Sequence, residues 1–124
     1  MAHFHAVVWL DHREAHVMHF TSEEVEQSAI HAKEPHKLHS KHTLHELRHP
    51  DSTYLRDVVE ALQGAHEILV AGPGSAKLEL IKYIHQHAHP LVPALVGVET
   101  VDHPTDGQLL AHARKYFRAA DRMR

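Results

Sequence analysis

Histidine is the residue type whose number and spacing in this sequence indicate a chemical role. The chain has 17 histidines, and six of them lie between residues 31 and 50. Four of these six are three residues apart: His36, His39, His42 and His45. Neutral imidazole is the commonest metal ligand in proteins, and an unperturbed histidine titrates at about pH 6.5. The segment therefore predicts weak Zn²⁺ or Ni²⁺ binding, a charge that rises in mild acid, or a solvated polar loop.

The spacing of these histidines argues against a built metal centre. On an α-helix, each step of three residues rotates the side chain by about −60°, so the four histidines would spread over half the circumference. With three residues per turn, in a 3₁₀ or polyproline II segment, they would line one edge. Pro35 and the many polar residues favour a non-helical segment. We expect metal binding here to be weak and exchangeable, and no cofactor to be required.

The same segment carries a modest excess of fixed positive charge. Its four basic residues are opposed by Glu34 and Glu46, and protonated histidines would add to the excess. Such a patch suits contacts with phosphate groups. Base stacking is not expected, because the chain has no aromatic residue between Phe20 and Tyr54. The basic residues of this predicted phosphate-binding loop are Lys33, Lys37, Lys41 and Arg48.

A second candidate is the stretch GPGSAK, residues 72–77. Glycines between a strand and a helix could hold a phosphate on backbone N–H groups, with Lys77 adding charge. The stretch lacks the GxxxxGK[ST] spacing of a phosphate-binding loop, and the proline removes one donor. The alternative is a tight turn in which Gly72 and Gly74 give the backbone freedom and Ser75 caps the helix.

Two further groups of residues are candidate sites. A two-metal nuclease needs converging carboxylates, and Asp11, Asp102 and Asp106 are the candidates. However, Glu67 begins its strand and is expected at the opposite end of the sheet, and Asp11 fits an Asx turn. On the opening strands, His3, His5 and His16 could form an interstrand metal cluster; the alternative is ordinary half-exposed strand histidines.

Composition limits the class of protein. The chain of 124 residues, 43% of them apolar, suits a single domain spanning 1–124. The absence of cysteine excludes disulfides and thiolate metal sites. No apolar run reaches a membrane span and the start does not resemble a secretory signal, so we expect a cytoplasmic protein with no membrane partner. The net charge of −3 with neutral histidines argues against a protein that coats nucleic acid.

The elements that must position these residues follow from hydrophobic periodicity. The order is βββαβαβα, which predicts an α/β fold with a mixed five-stranded sheet whose later strands are parallel. The first strand is apolar on both faces and is expected to be central, whereas residues 25–30 are expected to form an edge, which would allow a homodimer by sheet extension. The predicted strands are 3–11, 15–20, 25–30, 67–72 and 94–101, and the predicted helices are 51–64, 75–87 and 105–123.

Buried stripes and caps complete the prediction of the helices. The first helix presents Leu55, Val58, Val59 and Leu62, and the second presents Leu80 and Ile84 with Ile81 beside them. The last helix presents Leu110, Ala113 and Phe117 after a capping box of Thr105 and Gln108. Gly64 suits the end of the first helix, and Asp51 or Ser52 its start.

The stretch EILVAGPGSAKLELIKYI, residues 67–84, is similar to a segment in the middle domain of Pelota and of the archaeal and eukaryotic class 1 peptide-chain release factors. The opening hairpin and the closing strand and helix resemble the same domain. The resemblance implies a ribonuclease H-like α/β fold, and the chain looks like a stand-alone bacterial form. The matched residues are Ile68, Leu69, Val70, Gly72, Pro73, Gly74, Lys77 and Ile81.

One departure from that family bears on activity. Release factors carry a catalytic Gly-Gly-Gln motif in the loop before the first helix, but residues 31–50 contain neither glycine nor glutamine, and Gln108 lies elsewhere. Peptidyl-tRNA hydrolysis is therefore not expected. The resemblance implies a non-enzymatic translation-associated domain that binds the ribosome, tRNA or rRNA. A histidine-rich metal buffer or sensor is the competing hypothesis, and a Mg²⁺-dependent nuclease is the third.

Overall fold

The computed structural model describes residues 5–32 and 52–122. In these ranges the chain forms five strands, three α-helices and one 3₁₀ helix. The strands are β1 (His5–Leu10), β2 (Glu14–Phe20), β3 (Val25–His31), β4 (Glu67–Gly72) and β5 (Leu95–Thr100). The helices are α1 (Ser52–Leu62), α2 (Ala76–His87), the 3₁₀ helix (His89–Ala94) and α3 (Asp106–Arg122). The predicted order of elements is confirmed, and the 3₁₀ helix is an addition that periodicity did not predict.

The strands form one mixed sheet in the order β3-β2-β1-β4-β5. The first three strands are a meander of antiparallel neighbours, whereas β1, β4 and β5 are parallel. Parallel neighbours need a crossover, and helices α1 and α2 supply it. The predicted mixed sheet, the parallel later strands and the edge position of β3 are all confirmed.

Strand β1 lies at the centre and is covered on both faces. Ala6, Val8 and Leu10 pack in the larger core cluster with α1 and α2. Val7 and Trp9 pack in the smaller cluster with α3. The alternation follows from the strand period of two, and the covered faces explain why the strand reads as apolar throughout.

The helices cover the sheet unequally. The predicted stripe of α1 is buried as expected, and Gly64, with φ of +93°, adopts the left-handed conformation just after the helix. On the opposite face α3 is the one helix among the described residues that packs against the sheet. Its buried residues are Leu109, Ala113 and Phe117, so Leu109 replaces the predicted Leu110, which is only partly buried. Both leucines fit a helical spacing to Ala113, and only packing against the sheet distinguishes them. No helix in the described ranges is long and apolar enough to cross a membrane.

Candidate functional site

The parallel strands β1, β4 and β5 end together, at what we call the carboxyl end of the sheet. Strand β3 runs in the same direction as β1, so His31 also lies there. Helix α1 begins at this end, since the Tyr54 hydroxyl donates to the carbonyl of Asp11 at 3.0 Å. Both described flanks of the segment 33–51 therefore lie at the carboxyl end. Open α/β sheets generally bind ligands outside this end.

The GPG turn links β4 to α2 at the carboxyl end. Gly72 is buried, and a Cβ atom there would lie 2.3 Å from the carbonyl oxygen of Leu10. This position therefore needs glycine because β1 and the turn pack in contact. Gly74 and Ser75 are exposed, and nothing lies within 4 Å of a Cβ built on Gly74. The turn thus has one packed glycine and an exposed tip.

Two roles predicted for this turn are not observed. The Ser75 side chain makes no capping hydrogen bond, because its backbone is already helical; its carbonyl accepts the N–H of Leu78 and Glu79 at 2.9 and 3.0 Å. Lys77 is only 8% exposed, and its Nζ donates to the Gly74 carbonyl at 2.6 Å. The Lys77 ammonium therefore holds the turn closed from within and is not presented at the surface as a phosphate contact.

Asp11 and His103 form the first polar cluster at this end. Oδ1 of Asp11 accepts the N–H groups of Arg13 and Glu14 at 2.8 and 2.9 Å, which confirms the predicted Asx turn. Nε2 of His103 lies 3.4 Å from Oδ2 of Asp11, and Nδ1 lies 3.1 Å from Oδ1 of Asp102. The imidazole therefore bridges two carboxylates, one after β1 and one after β5.

These contacts shift the ionisation of both partners. The hydrogen bond with Asp102 raises the pKa of His103, and the contact with Asp11 adds to the rise. Partial burial would raise the pKa of Asp11, but the Arg13 and Glu14 N–H groups and His103 together lower it. Burial, and then the nearby carboxylates, raise the pKa of Tyr54, so its hydroxyl stays protonated and donates to Asp11.

A second cluster lies beside the first. Nδ1 of His16 is 3.3 Å from Oδ1 of Asp106, and its Nε2 is 3.5 Å from Oε1 of Glu14. The same Glu14 oxygen is 3.5 Å from Nε2 of His31. Carboxylates and imidazoles therefore alternate from the start of α3 to the end of β3.

Trp9 separates the two clusters. Its ring centroid is 4.8 Å from that of His103 and 6.0 Å from that of His16. Its Nε1 is shared between the carbonyls of Val101 and Asp102, at 3.1 and 2.8 Å. Because Trp9 is almost fully buried, it anchors the loop after β5 and thereby sets the position of His103.

The described residues do not assemble a metal centre. Within 5–32 and 52–122, no group of three or more histidine, aspartate or glutamate side chains could hold an ion. His16 pairs with Trp9 and His5 with Phe20, so the predicted approach of His16 to His5 is wrong. The histidines His36, His39, His42 and His45, the basic residues Lys33, Lys37, Lys41 and Arg48, and also His3 lie outside the described residues.

The carboxylates do not form a two-metal nuclease site either. Asp11 is engaged by two backbone N–H groups and by His103. Asp106 faces His16, and Glu67 lies beside His5 at the opposite end of the sheet, as predicted. Sequence reasoning missed His103, because nothing in a loop histidine indicates a partner 92 residues away. The adjacent Asp102 was the only local signal.

The fold matches solved translation factors. Pelota from Archaeoglobus fulgidus aligns over 90% of this chain with a TM-score of 0.63 and 12% identity. The archaeal translation termination factor aRF1 aligns over 96% with a TM-score of 0.58 and 17% identity. Dom34 from S. cerevisiae, a translation termination-like factor involved in RNA quality control and interacting with Hbs1, aligns over 86% with a TM-score of 0.57 and 15% identity.

These comparisons confirm the predicted fold, that of the release-factor middle domain. The chain spans only 30%, 38% and 31% of the length of these three proteins, respectively. No family model matches the chain, and neither does any curated protein.

Proposed function

We propose that this chain is a non-catalytic, translation-associated domain that binds RNA or the ribosome. The observation that carries the proposal is the fold: nine-tenths of the chain aligns with Pelota. The lack of a Gly-Gly-Gln motif in residues 31–50 supports a binding role over peptidyl-tRNA hydrolysis. The carboxylate of Asp11 already contacts two backbone N–H groups and His103, which supports a binding role over metal-dependent cleavage.

The proposed mechanism is electrostatic docking through the His/Lys-rich segment. The segment supplies Lys33, Lys37, Lys41 and Arg48, and phosphate contacts of this kind dominate affinity for nucleic acid. Its flanks His31 and Ser52 lie at the carboxyl end of the sheet, the end at which the GPG turn follows β4. This placement supports a binding surface to which both the segment and the turn contribute.

The GPG turn is proposed as the second phosphate contact, through its backbone. The helical ladder of α2 begins with the N–H groups of Leu78 and Glu79. The N–H groups just before them belong to the first turn of the helix, which has no intrahelical acceptors and favours anions. Gly74 and Ser75, which lead into this turn, are exposed. Because Lys77 is occupied inside the turn, its charge is not part of the proposed contact.

Histidine protonation should control this binding. The described residues at the carboxyl end include four carboxylates that repel phosphate: Asp11, Glu14, Asp102 and Asp106. Three histidines contact these carboxylates: His16, His31 and His103. Protonating His103, whose pKa is raised by its hydrogen bond with Asp102, offsets part of this negative charge, so affinity for RNA should increase from pH 8 to pH 6.

The test is co-sedimentation with ribosomes and fluorescence anisotropy with labelled tRNA, at low and moderate salt near pH 6.5. Replacing Lys33, Lys37, Lys41 and Arg48 together by alanine should weaken binding and flatten its salt dependence, by about 0.7 to 0.9 in logarithmic slope for each phosphate that is no longer neutralised. The matched control replaces four exposed basic residues elsewhere: Arg56, Lys82, Lys115 and Arg118. If the unaltered protein binds neither ribosomes nor tRNA at low salt, the proposal is wrong.

The same samples test the competing hypotheses. A metal buffer or sensor would bind Zn²⁺ or Ni²⁺ tightly and with fixed stoichiometry in equilibrium dialysis, and would lose this binding when His36, His39, His42 and His45 are replaced. A nuclease would cleave RNA only with Mg²⁺ and would lose activity in Asp11→Asn. Weak metal binding spread over many histidines, with no cleavage, is the result expected for the RNA-binding domain.

A further inference from the structure

Among the residues that the structure describes, strand β3 is an open and regular edge of the sheet. It pairs with β2 over all seven residues without a register shift. Its central residues Glu26, Gln27, Ser28 and Ala29 are exposed. The strand contains no proline and no lysine, and Glu26 is its only acidic residue. The edge strands of natural sheets are usually protected from further pairing by prolines or charged residues, by bulges or by a covering element.

The hydrogen bonds on either side of β3 show which of its backbone groups point outward. The N–H of Thr21 donates to the Glu24 carbonyl at 2.9 Å, and the N–H of Ala32 donates to the Arg13 carbonyl at 2.8 Å. Antiparallel pairs alternate between bonded and non-bonded, so the even-numbered residues from 24 to 32 face β2. The N–H and C=O groups that face away from β2 are those of Val25, Gln27, Ala29 and His31.

The opposite edge of the sheet, strand β5, is protected from further pairing, so the two edges of the sheet differ. The pairing of β5 with β4 is irregular between Ile68 and Leu69. The Tyr116 hydroxyl of α3 donates to the Val96 carbonyl at 3.2 Å. A bulge and a hydrogen bond from a helix therefore interrupt the outer side of β5, and within 5–32 and 52–122 neither device is present on β3.

We propose that β3 pairs with β3 of a second copy of this chain, antiparallel and with the two-fold axis at Ser28. In this register, Gln27 exchanges hydrogen bonds with the partner's Ala29, and Val25 with the partner's His31. These are the residues whose backbone groups face away from β2, and they are placed symmetrically about Ser28. All seven residues of β3 therefore pair with the partner strand. The strand is self-complementary for a further reason: Glu26 lies opposite the partner's Ile30, and no two carboxylates face each other.

The proposed pairing ends at two chains. A two-fold contact uses the same edge of both copies, and the remaining edges are the protected β5 strands. The product is a continuous sheet of ten strands. The proposal does not depend on the proposed binding of RNA, because its contact is made by residues 25–31.

The first test exploits the position of Ser28 on the axis. Its side chain would face the partner's Ser28 in a non-hydrogen-bonded pair, where Cβ atoms are about 4.5–5.5 Å apart. Sedimentation velocity should give the unaltered protein a mass twice the 14.1 kDa of one chain. Ser28→Lys and Ser28→Glu should each weaken the dimer about fivefold, and an equal mixture of the two should restore it. A monomeric wild type, or a mixture no more associated than the single variants, would overturn the proposal.

The second test removes an outward donor. Ala29→Pro deletes one N–H that faces the partner, twice per dimer, without removing a hydrogen bond to β2, and should weaken the dimer at least about tenfold. Gln27→Ala is the control, because it changes a side chain on the same edge but keeps the backbone donor. Circular dichroism verifies that Ala29→Pro is folded. If the folded Pro variant dimerises as well as Gln27→Ala, association does not use this edge and the proposal fails.

Discussion

Nε2 of His103 lies 3.4 Å from Oδ2 of Asp11, although the two residues are 92 positions apart in the chain. The contact joins the loop after β5 to the hairpin after β1, across the carboxyl end of the sheet. Asp102 holds the other ring nitrogen at 3.1 Å. Both carboxylates favour the imidazolium, so the contact between these two segments responds to pH.

The first prediction concerns the titration of His103 itself. Its pKa should lie above the ordinary 6.5, because Asp102 and Asp11 stabilise the charged ring. In Asp102→Asn the His103 pKa should fall towards 6.5. The measurement is an NMR titration of the ring protons, with Asp57→Asn, which removes a carboxylate that pairs with Arg56, as the control. An unchanged His103 pKa in Asp102→Asn would show that Asp102 is not the main cause.

The second prediction is the dependence of stability on pH. Folding raises the pKa of His103, so its contribution is complete below the unfolded histidine pKa and is lost as the pH rises through the folded value. Folding lowers the pKa of Asp11, so that contribution is present above the unfolded aspartate pKa and is lost as the pH falls through the folded value. His103→Gln should therefore destabilise the protein at about pH 5.5 and have less effect at about pH 8. Urea unfolding at the two pH values checks this, and an equal effect at both would contradict it.

Periodicity was enough to predict most of the fold. The continuous apolar run of β1 reflects its two covered faces, and the stripe Leu55, Val58, Val59 and Leu62 of α1 reflects one covered face. The choice between Leu109 and Leu110 in α3 could not be made, because both fit the helical period and only the contact with the sheet distinguishes them.

The candidate site was less predictable than the fold. The capping box of Thr105 and Gln108 is a local pattern, and its two hydrogen bonds are present at 3.1 and 2.9 Å. The contact of His103 with Asp11 depends on where two loops meet in space, which no local spacing encodes. The burial of Lys77 depends similarly on how closely the GPG turn packs against β1.

The third prediction separates the two glycines of the GPG turn. Gly72→Ala would place a Cβ atom 2.3 Å from the backbone oxygen of Leu10, which cannot move aside as a side chain could. It should lower the free energy of unfolding by about 2–3 kcal/mol. Gly74→Ala has open space around its Cβ atom and a φ that is not positive. It should therefore change the free energy of unfolding by less than about 0.5 kcal/mol. Urea denaturation of both variants compares them, and equal effects would contradict the packed role of Gly72.

The fourth prediction tests the structural role of Lys77. Its stem is buried and its Nζ donates to Gly74, so Lys77→Ala should lower the free energy of unfolding by about 1–2 kcal/mol. Lys82→Ala, an exposed position on the same helix, should have little effect and is the control. Affinity for tRNA, measured where both variants are folded, should be the same for the two. A selective loss of affinity in Lys77→Ala would instead assign Lys77 to the binding surface.

The fifth prediction compares the beginnings of two helices. Thr105 accepts the N–H of Gln108, and Gln108 accepts the N–H of Thr105 through its side chain, so α3 has a complete capping box. Thr105→Ala should lower the free energy of unfolding by about 1 kcal/mol. Ser75 precedes α2 and its side chain makes no capping hydrogen bond. Ser75→Ala should therefore change the free energy of unfolding by less than about 0.5 kcal/mol. Thermal and urea unfolding of the two variants give the comparison. A loss in Ser75→Ala as large as that in Thr105→Ala would mean that Ser75 caps α2 in solution, and the first turn of α2 would then have one N–H fewer to offer a phosphate.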